Sequence, residues 1–161
     1  MKQTGKASPR IFAHPADQGS VLLEFALVLP LLFLILLATV EFGYAFREHQ
    51  ILQNAVREGA RFSALPGNQV SPLNPNATLA AIQQYVVDYC QKAHIGTPVK
   101  PEEITIDQNC LISYSASDGV TGVRGSKVSI SHTHSLIFSG AMLPIGGQIA
   151  LSASVIFRNM Y

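Results

Sequence analysis

The sequence predicts an α+β fold: a long N-terminal helix, apolar then amphipathic, and a second helix, packed on one face of a four-stranded antiparallel sheet. Three observations lead there. Residues 25–40 (FALVLPLLFLILLATV) carry no charge. Beyond residue 47 apolar side chains recur at i, i+3, i+4 spacing. After residue 100 the period changes to two.

The 161 residues suit one exported domain and one anchor. Only 13% are charged, which the apolar run explains, and the net charge of +1 gives nucleic acid nothing to bind. Lys2, Lys6 and Arg10 stand against Asp17 in residues 1–19, so this short segment is basic. Rich in Lys, Ser, Pro and Gln, it reads as a disordered leader.

The long helix is expected to start near Gly19. Residues 20–46 would span about 40 Å as a helix, enough for a hydrocarbon core of about 30 Å. A secretory h-region is shorter and ends at a small-residue cleavage site; here Phe46-Arg47-Glu48-His49-Gln50 follows. The basic residues before the helix place the N-terminus in the cytoplasm and the remainder outside. Tyr44 and Phe46 fit an outer aromatic belt. Pro30 should kink or locally melt the helix.

The helix continuation, 47–65, turns amphipathic through Leu52, Ala55, Val56, Gly59, Phe62 and Ser63. Leu65-Pro66-Gly67 stops it, because a residue before proline disfavours the α region. After a Pro/Asn linker, Asn76 is a candidate N-cap for the second helix, and Gly96 with Pro98 a candidate stop. Its stripe is Leu79, Ile82, Val86, Tyr89 and Ala93. Four alternating runs follow: Ile104/Ile106; Cys110/Ile112/Tyr114; Val128/Ile130; and Ile149, Leu151, Ala153, Val155, Phe157. Asp118-Gly119 and Thr121-Gly122 mark the central turn. Residues 136–147 (LIFSGAMLPIGG) read as an apolar loop that packs down or meets a partner. Serines alternate with the apolar strand residues, as a solvated sheet face requires.

The most specific feature is Glu24, five residues after Gly19 and inside the edge of the apolar run. A carboxylate there is expensive and calls for a partner or a function. GSVLLEFALVLPLLFLILLATVEFG at 19–43 and LQNAVREGARFSA at 52–64 resemble the TadE family of Flp/Tad (type IVc) pilus systems; LPIGGQIALSASVIFRNMY at 143–161 is similar more loosely. The middle, 66–135, matches only in pattern, and Asn159 departs from the polar or acidic ending of many relatives.

The resemblance implies a pilin-like fold and a minor pilin or pseudopilin that needs no cofactor. A prepilin peptidase would cut after Gly19 and leave Ser20 as the new N-terminus. Glycine suits this, since a backbone without a side chain can enter a cleft closely. Glu24, followed by Phe25, would then pair with the Ser20 amine of a neighbouring subunit and set register. The bland reading is a Glu that snorkels to the membrane edge. Implied partners are the peptidase, other pilins through the N-terminal helix, the inner-membrane assembly platform and membrane lipid. The domains implied are a leader at 1–19, a transmembrane helix at 20–46 and an exported domain at 47–161. The alternative function is an uncleaved single-pass accessory protein whose outer domain binds a secretion or pilus partner.

Other candidates remain in the outer domain. Cys90 and Cys110 would lie outside, where disulfides persist; a bridge between helix and sheet is favoured over two buried free thiols. His132 and His134 share a strand face at a spacing that metals accept, but no Cys, Asp or Glu lies close in sequence to complete a site. An interior or interface histidine pair is therefore favoured over a metal-dependent enzyme. Arg57, Glu58 and Arg61 are either solvated helix surface or partners for acidic groups, and Gly59 would allow close packing. No G-x-S-x-G, P-loop or H-E-x-x-H occurs, so catalysis is not expected.

Overall fold

The computed structural model describes residues 15–70, 75–112, 122–136 and 147–160, with side chains described from residue 19 onward. Their elements, in order, are α1 (Pro15–Ser63), a 3-10 turn (Pro66–Asn68), α2 (Pro75–Lys92), a second 3-10 turn (Pro101–Glu103), β1 (Ile104–Ile112), β2 (Val123–Ser135) and β3 (Gln148–Arg158). The chain resolves into two compact units, Met1–Thr39 and Val40–Tyr161.

In the first unit α1 begins at Pro15, four residues before the expected start at Gly19. Proline suits a first helical turn, where its missing N–H costs nothing. The helix runs through Pro30 without a break, so the expected melting is absent. Its side chains from Val21 to Leu36 are largely exposed. From Gly19 to Ser63 it is long and apolar enough, by length and composition, to cross a membrane, which fits a single-pass anchor.

In the second unit the amphipathic continuation is as the spacing predicts. Leu52, Ala55, Val56 and Ser63 are fully buried, joined by Ala60 and Ala64. Burying one such leucine contributes about 2 kcal/mol. Leu65 is extended (φ −71°, ψ 142°), as a residue before proline should be. The carbonyls left over at the helix end find donors: Phe62 O accepts from Asn68 Nδ2 (2.9 Å), Ser63 O from Gln108 Nε2 (3.3 Å), and Ala64 O from Met160 N–H (3.2 Å).

The end of α2 departs from expectation. His94 N–H donates to Gln91 O (3.0 Å) and Ile95 N–H to Cys90 O (3.3 Å), the pair of bonds that closes a Schellman motif. His94 itself takes the left-handed position (φ 54°), so neither Gly96 nor Pro98 stops the helix. Ile95 then packs back on the core.

Three strands, not four, form the sheet among the described residues, ordered β1-β2-β3 and antiparallel throughout. The first two expected strands are a single strand, β1, carrying a register shift between Asp107 and Cys110. Tyr114, the Asp118-Gly119 turn and residues 137–146 of the apolar loop lie outside the described residues. Ile104 and Ile106 face Ile130 and Val128 across the pair, while Ala153 and Val155 flank the same two residues from β3. These side chains meet Leu52, Val56, Val86 and Cys90 in one core. On the other face Ser129 pairs with Ser154 and Ser131 with Ser152, leaving hydroxyls toward solvent.

Candidate functional site

Three groups of sequence-selected residues occupy three different settings. On α1 of the first unit, Gly19, Ser20, Glu24 and Phe25 are all exposed. A Cβ on Gly19 would meet nothing within 4 Å, so no packing demands a glycine there. Ser20 and Glu24 are one helical turn apart and share a face of α1.

The second group lies where α1 crosses the domain. Gly59 is buried, and a Cβ there would strike Val86 of α2. The expected close approach is therefore made by this helix pair. Arg57 is exposed, and Arg61 lies 3.9 Å from Glu58 on the same helix surface. An exposed pair of that length adds well under about 1 kcal/mol. Phe62 stacks on Tyr85 at a centroid distance of 4.4 Å, a second contact between the two helices.

The third group is a buried polar cluster around the end of β2. His132 and His134 are buried, continuing the core face of Ser126, Val128 and Ile130. His132 Nδ1 donates to Glu103 Oε2 at 2.7 Å. His134 Nδ1 donates to Glu48 Oε2, also at 2.7 Å, and its Nε2 stands 3.6 Å from Glu41 Oε1. The other oxygen of Glu48 accepts the Gly96 N–H (3.0 Å). A Cβ on Gly96 would come within 2.5 Å of that oxygen, so this glycine serves the carboxylate and not the helix stop. Arg47, next to Glu48, gives its guanidinium to the Ala93 and His94 carbonyls at 3.3 and 3.4 Å, a charged cap on the C-terminus of α2. Together Arg47 and Glu48 clamp α1 to the turn after α2.

Sequence spacing did not reveal Glu41, Glu48 and Glu103 as partners of the histidines. A signal was present: Glu48 falls between Ala45 and Leu52 on the buried stripe of α1, and Glu41 lies seven residues earlier on the same side. A carboxylate on a buried stripe demands a donor. The resulting histidine–carboxylate pairs orient the rings, and among the described residues no group of three or more His, Cys, Asp or Glu is arranged to hold a metal ion.

A second network joins the opposite end of β2 to α1. Ser126 Oγ lies 2.6 Å from Ser63 Oγ, and Gln108 Nε2 donates to Ser63 Oγ and Asn68 O, each at 2.8 Å. Gln108 Oε1 accepts the Val70 N–H, and Asn159 Nδ2 donates to Gln108 O. Gln108 sits at the register shift, which turns it toward the helix end.

Cys90 and Cys110 are not joined; both are free thiols. Cys90 is wholly buried in the core, where desolvation pushes its thiol up to about 11. Cys110 is half-buried and opposite Gly125. The register shift explains the separation. Before it, β1 residues in phase with Ile104 face Val128 and Ile130; after it, Cys110 faces an odd-numbered residue of β2, on the other side of the sheet. Ile112 and Ile156 crowd the place where a Gly125 side chain would stand.

Comparison with known proteins adds one match. Residues 19–61 match the model of the TadE family, described as TadE-like protein. The match begins at Gly19 and runs along α1 almost to its end, taking in Glu24, Glu41, Glu48 and Gly59. No curated protein and no solved structure matches the chain.

Proposed function

We propose that this chain, carrying the TadE-like segment at residues 19–61, is a minor pilin-like (pseudopilin) component in the assembly of a Tad/Flp pilus. The match of residues 19–61 to the TadE-like family supports a place in Tad pilus systems, and the long apolar helix supports a membrane-anchored form within them. The observation that carries the reading is one continuous α1: its first part is sheathed in exposed apolar side chains, and its second part is the central element of a folded domain.

In this reading a prepilin peptidase removes residues 1–19. The basic N-terminus faces the cytoplasm, the anchor lies in the inner membrane and the domain outside it. The new Ser20 amine then pairs with Glu24 of a neighbouring subunit. An amine and a carboxylate in hydrocarbon attract strongly only when close and matched, so such a pair selects one axial register. Other pilins and the assembly platform are the partners, and the chain performs no catalysis.

A second reading, an uncleaved anchored accessory protein that binds a secretion or pilus partner, is favoured by one observation. Because α1 begins at Pro15, the Gly19–Ser20 bond lies within helical backbone, which must open before it can enter a peptidase cleft.

The intact mass of membrane-extracted protein, with and without an active prepilin peptidase, separates the two. Peptidase-dependent loss of residues 1–19 is expected. A full-length mass in both samples would overturn the pilin-like reading and leave the anchored accessory protein. Glu24→Ala is expected to permit cleavage and block assembly; normal piliation in that variant would remove the register argument.

A further inference from the structure

β2 runs beside α1 in the opposite direction. Ser126 Oγ lies 2.6 Å from Ser63 Oγ, and farther along the strand the His134 ring reaches Glu48 at 2.7 Å and Glu41 at 3.6 Å. The two paths agree in length: residues 48–63 of a helix rise about 22 Å, and residues 126–134 of a strand about 26 Å. The hairpin of β2 and β3 therefore points back along α1, toward the end of the uncharged run. Leu136 lies about 7 Å beyond His134 along the strand, which brings it level with Val40 and Glu41. Its N–H donates to Gly147 O (2.9 Å) and closes the described hairpin at that height.

The hairpin brings apolar chemistry there. From Val128 to Phe157 the sequence holds no Asp, Glu, Lys or Arg, and residues 137–146, which join the two strands, read IFSGAMLPIG. A connection that met water would ordinarily be polar. Ile149, opposite His134 on β3, is exposed, as are Phe42, Tyr44 and Phe46 of α1. The charges close by are engaged inside the domain: Glu41 and Glu48 with His134, Arg47 with the Ala93 and His94 carbonyls.

We propose that the end of the β2–β3 hairpin, at Leu136, Gly147 and Ile149, is a second membrane contact, resting on the lipid of the leaflet from which α1 emerges. This rests on the membrane-anchored form. Val40 is the last residue of the uncharged run, so an apolar surface level with it is continuous with the part of α1 that lipid surrounds. The depth is the boundary between headgroups and acyl chains, because the end of a hairpin cannot satisfy its backbone in hydrocarbon. Lying to one side of α1, the contact restricts the tilt of the helix in the bilayer.

The chain has no tryptophan, so single-tryptophan variants of the full chain in phosphatidylcholine vesicles report depth directly. Ile149→Trp is the reporter, with Leu136→Trp as a second one should the first fail to fold. Phe33→Trp marks the anchor. Leu111→Trp, exposed at the other end of the sheet opposite Arg124, marks the water-facing domain. Ile149→Trp is expected to lose emission to lipid brominated near the top of its acyl chains, to resist aqueous acrylamide and to emit at shorter wavelength than Leu111→Trp. Phe33→Trp is expected to be quenched by bromine placed deep in the chains. If both hairpin reporters instead behave like Leu111→Trp while Phe33→Trp is quenched by lipid, the hairpin contact is overturned and the anchor stands. Hairpin reporters shielded from both quenchers would also overturn it, since protein and not lipid would then cover that end. A Phe33→Trp variant open to acrylamide and untouched by bromolipid would overturn the anchored form, and this contact with it.

Discussion

Glu48 and His134 are 86 positions apart in the chain and 2.7 Å apart in space, both buried. One carboxylate thereby joins α1 to the end of β2 and, through Gly96, to the turn that leads from α2 into the sheet. Glu48→Ala removes the acceptor for the buried His134 ring N–H and for the Gly96 N–H at once. A loss of roughly 3–5 kcal/mol is expected, read as a fall in denaturation midpoint. Glu48→Gln should cost less, because an amide oxygen still accepts the Gly96 N–H. Equal losses for the two variants would contradict this assignment.

Gly59 is the crossing point of the helices. Gly59→Leu should cost about 1–3 kcal/mol through overpacking against Val86. Val86→Ala opens space at that contact, so the double variant is expected to lose less than the two single losses combined. Simple additivity in thermal melts would place the strain elsewhere.

The thiols provide a chemical test of the register shift. At pH 8 an aromatic disulfide reagent should label one thiol of the native chain, half-buried Cys110, and the second only on unfolding. Two unreactive cysteines released by reductant would mean that the bridge forms after all. Cys90 also makes stability depend on alkaline pH. Burial lifts its thiol from 9.0 to about 11, so the folded chain keeps the proton longer than the unfolded one. Its contribution is intact below pH 9 and declines as pH rises toward 11. The difference between wild type and Cys90→Ala should therefore shrink across that window in denaturant titrations.

His94 holds a left-handed backbone position (φ 54°) that a side chain adopts at a cost. Its ring lies 2.9 Å from Lys92 O, which returns part of that cost. His94→Gly is expected to raise stability by about 0.5 kcal/mol, the relief of strain exceeding the added freedom of the unfolded chain. A lower melting temperature would mean that the contact with Lys92 outweighs the backbone strain.

By itself the sequence determined the features that depend on local periodicity and local chemistry. The uncharged run of residues 25–40, the buried stripe through Leu52, Val56 and Gly59, the break at Leu65-Pro66 and the alternation in β2 and β3 follow from spacings of 3.6 and 2 and from the geometry of proline. The match of residues 19–61 to the TadE-like family rests on the same contiguous segment. Tertiary structure decided what no local pattern contains. One register shift joined two expected strands into β1 and carried Cys110 away from the core that holds Cys90. Packing brought Glu41, Glu48 and Glu103 to histidines far along the chain. The Schellman closure ended α2 at Lys92, with His94 in the left-handed position, and left Gly96 to serve Glu48. The physical reason is the same in each case: a buried polar group takes whichever partner the fold places within reach, and that choice is set by distance in space rather than by separation in sequence.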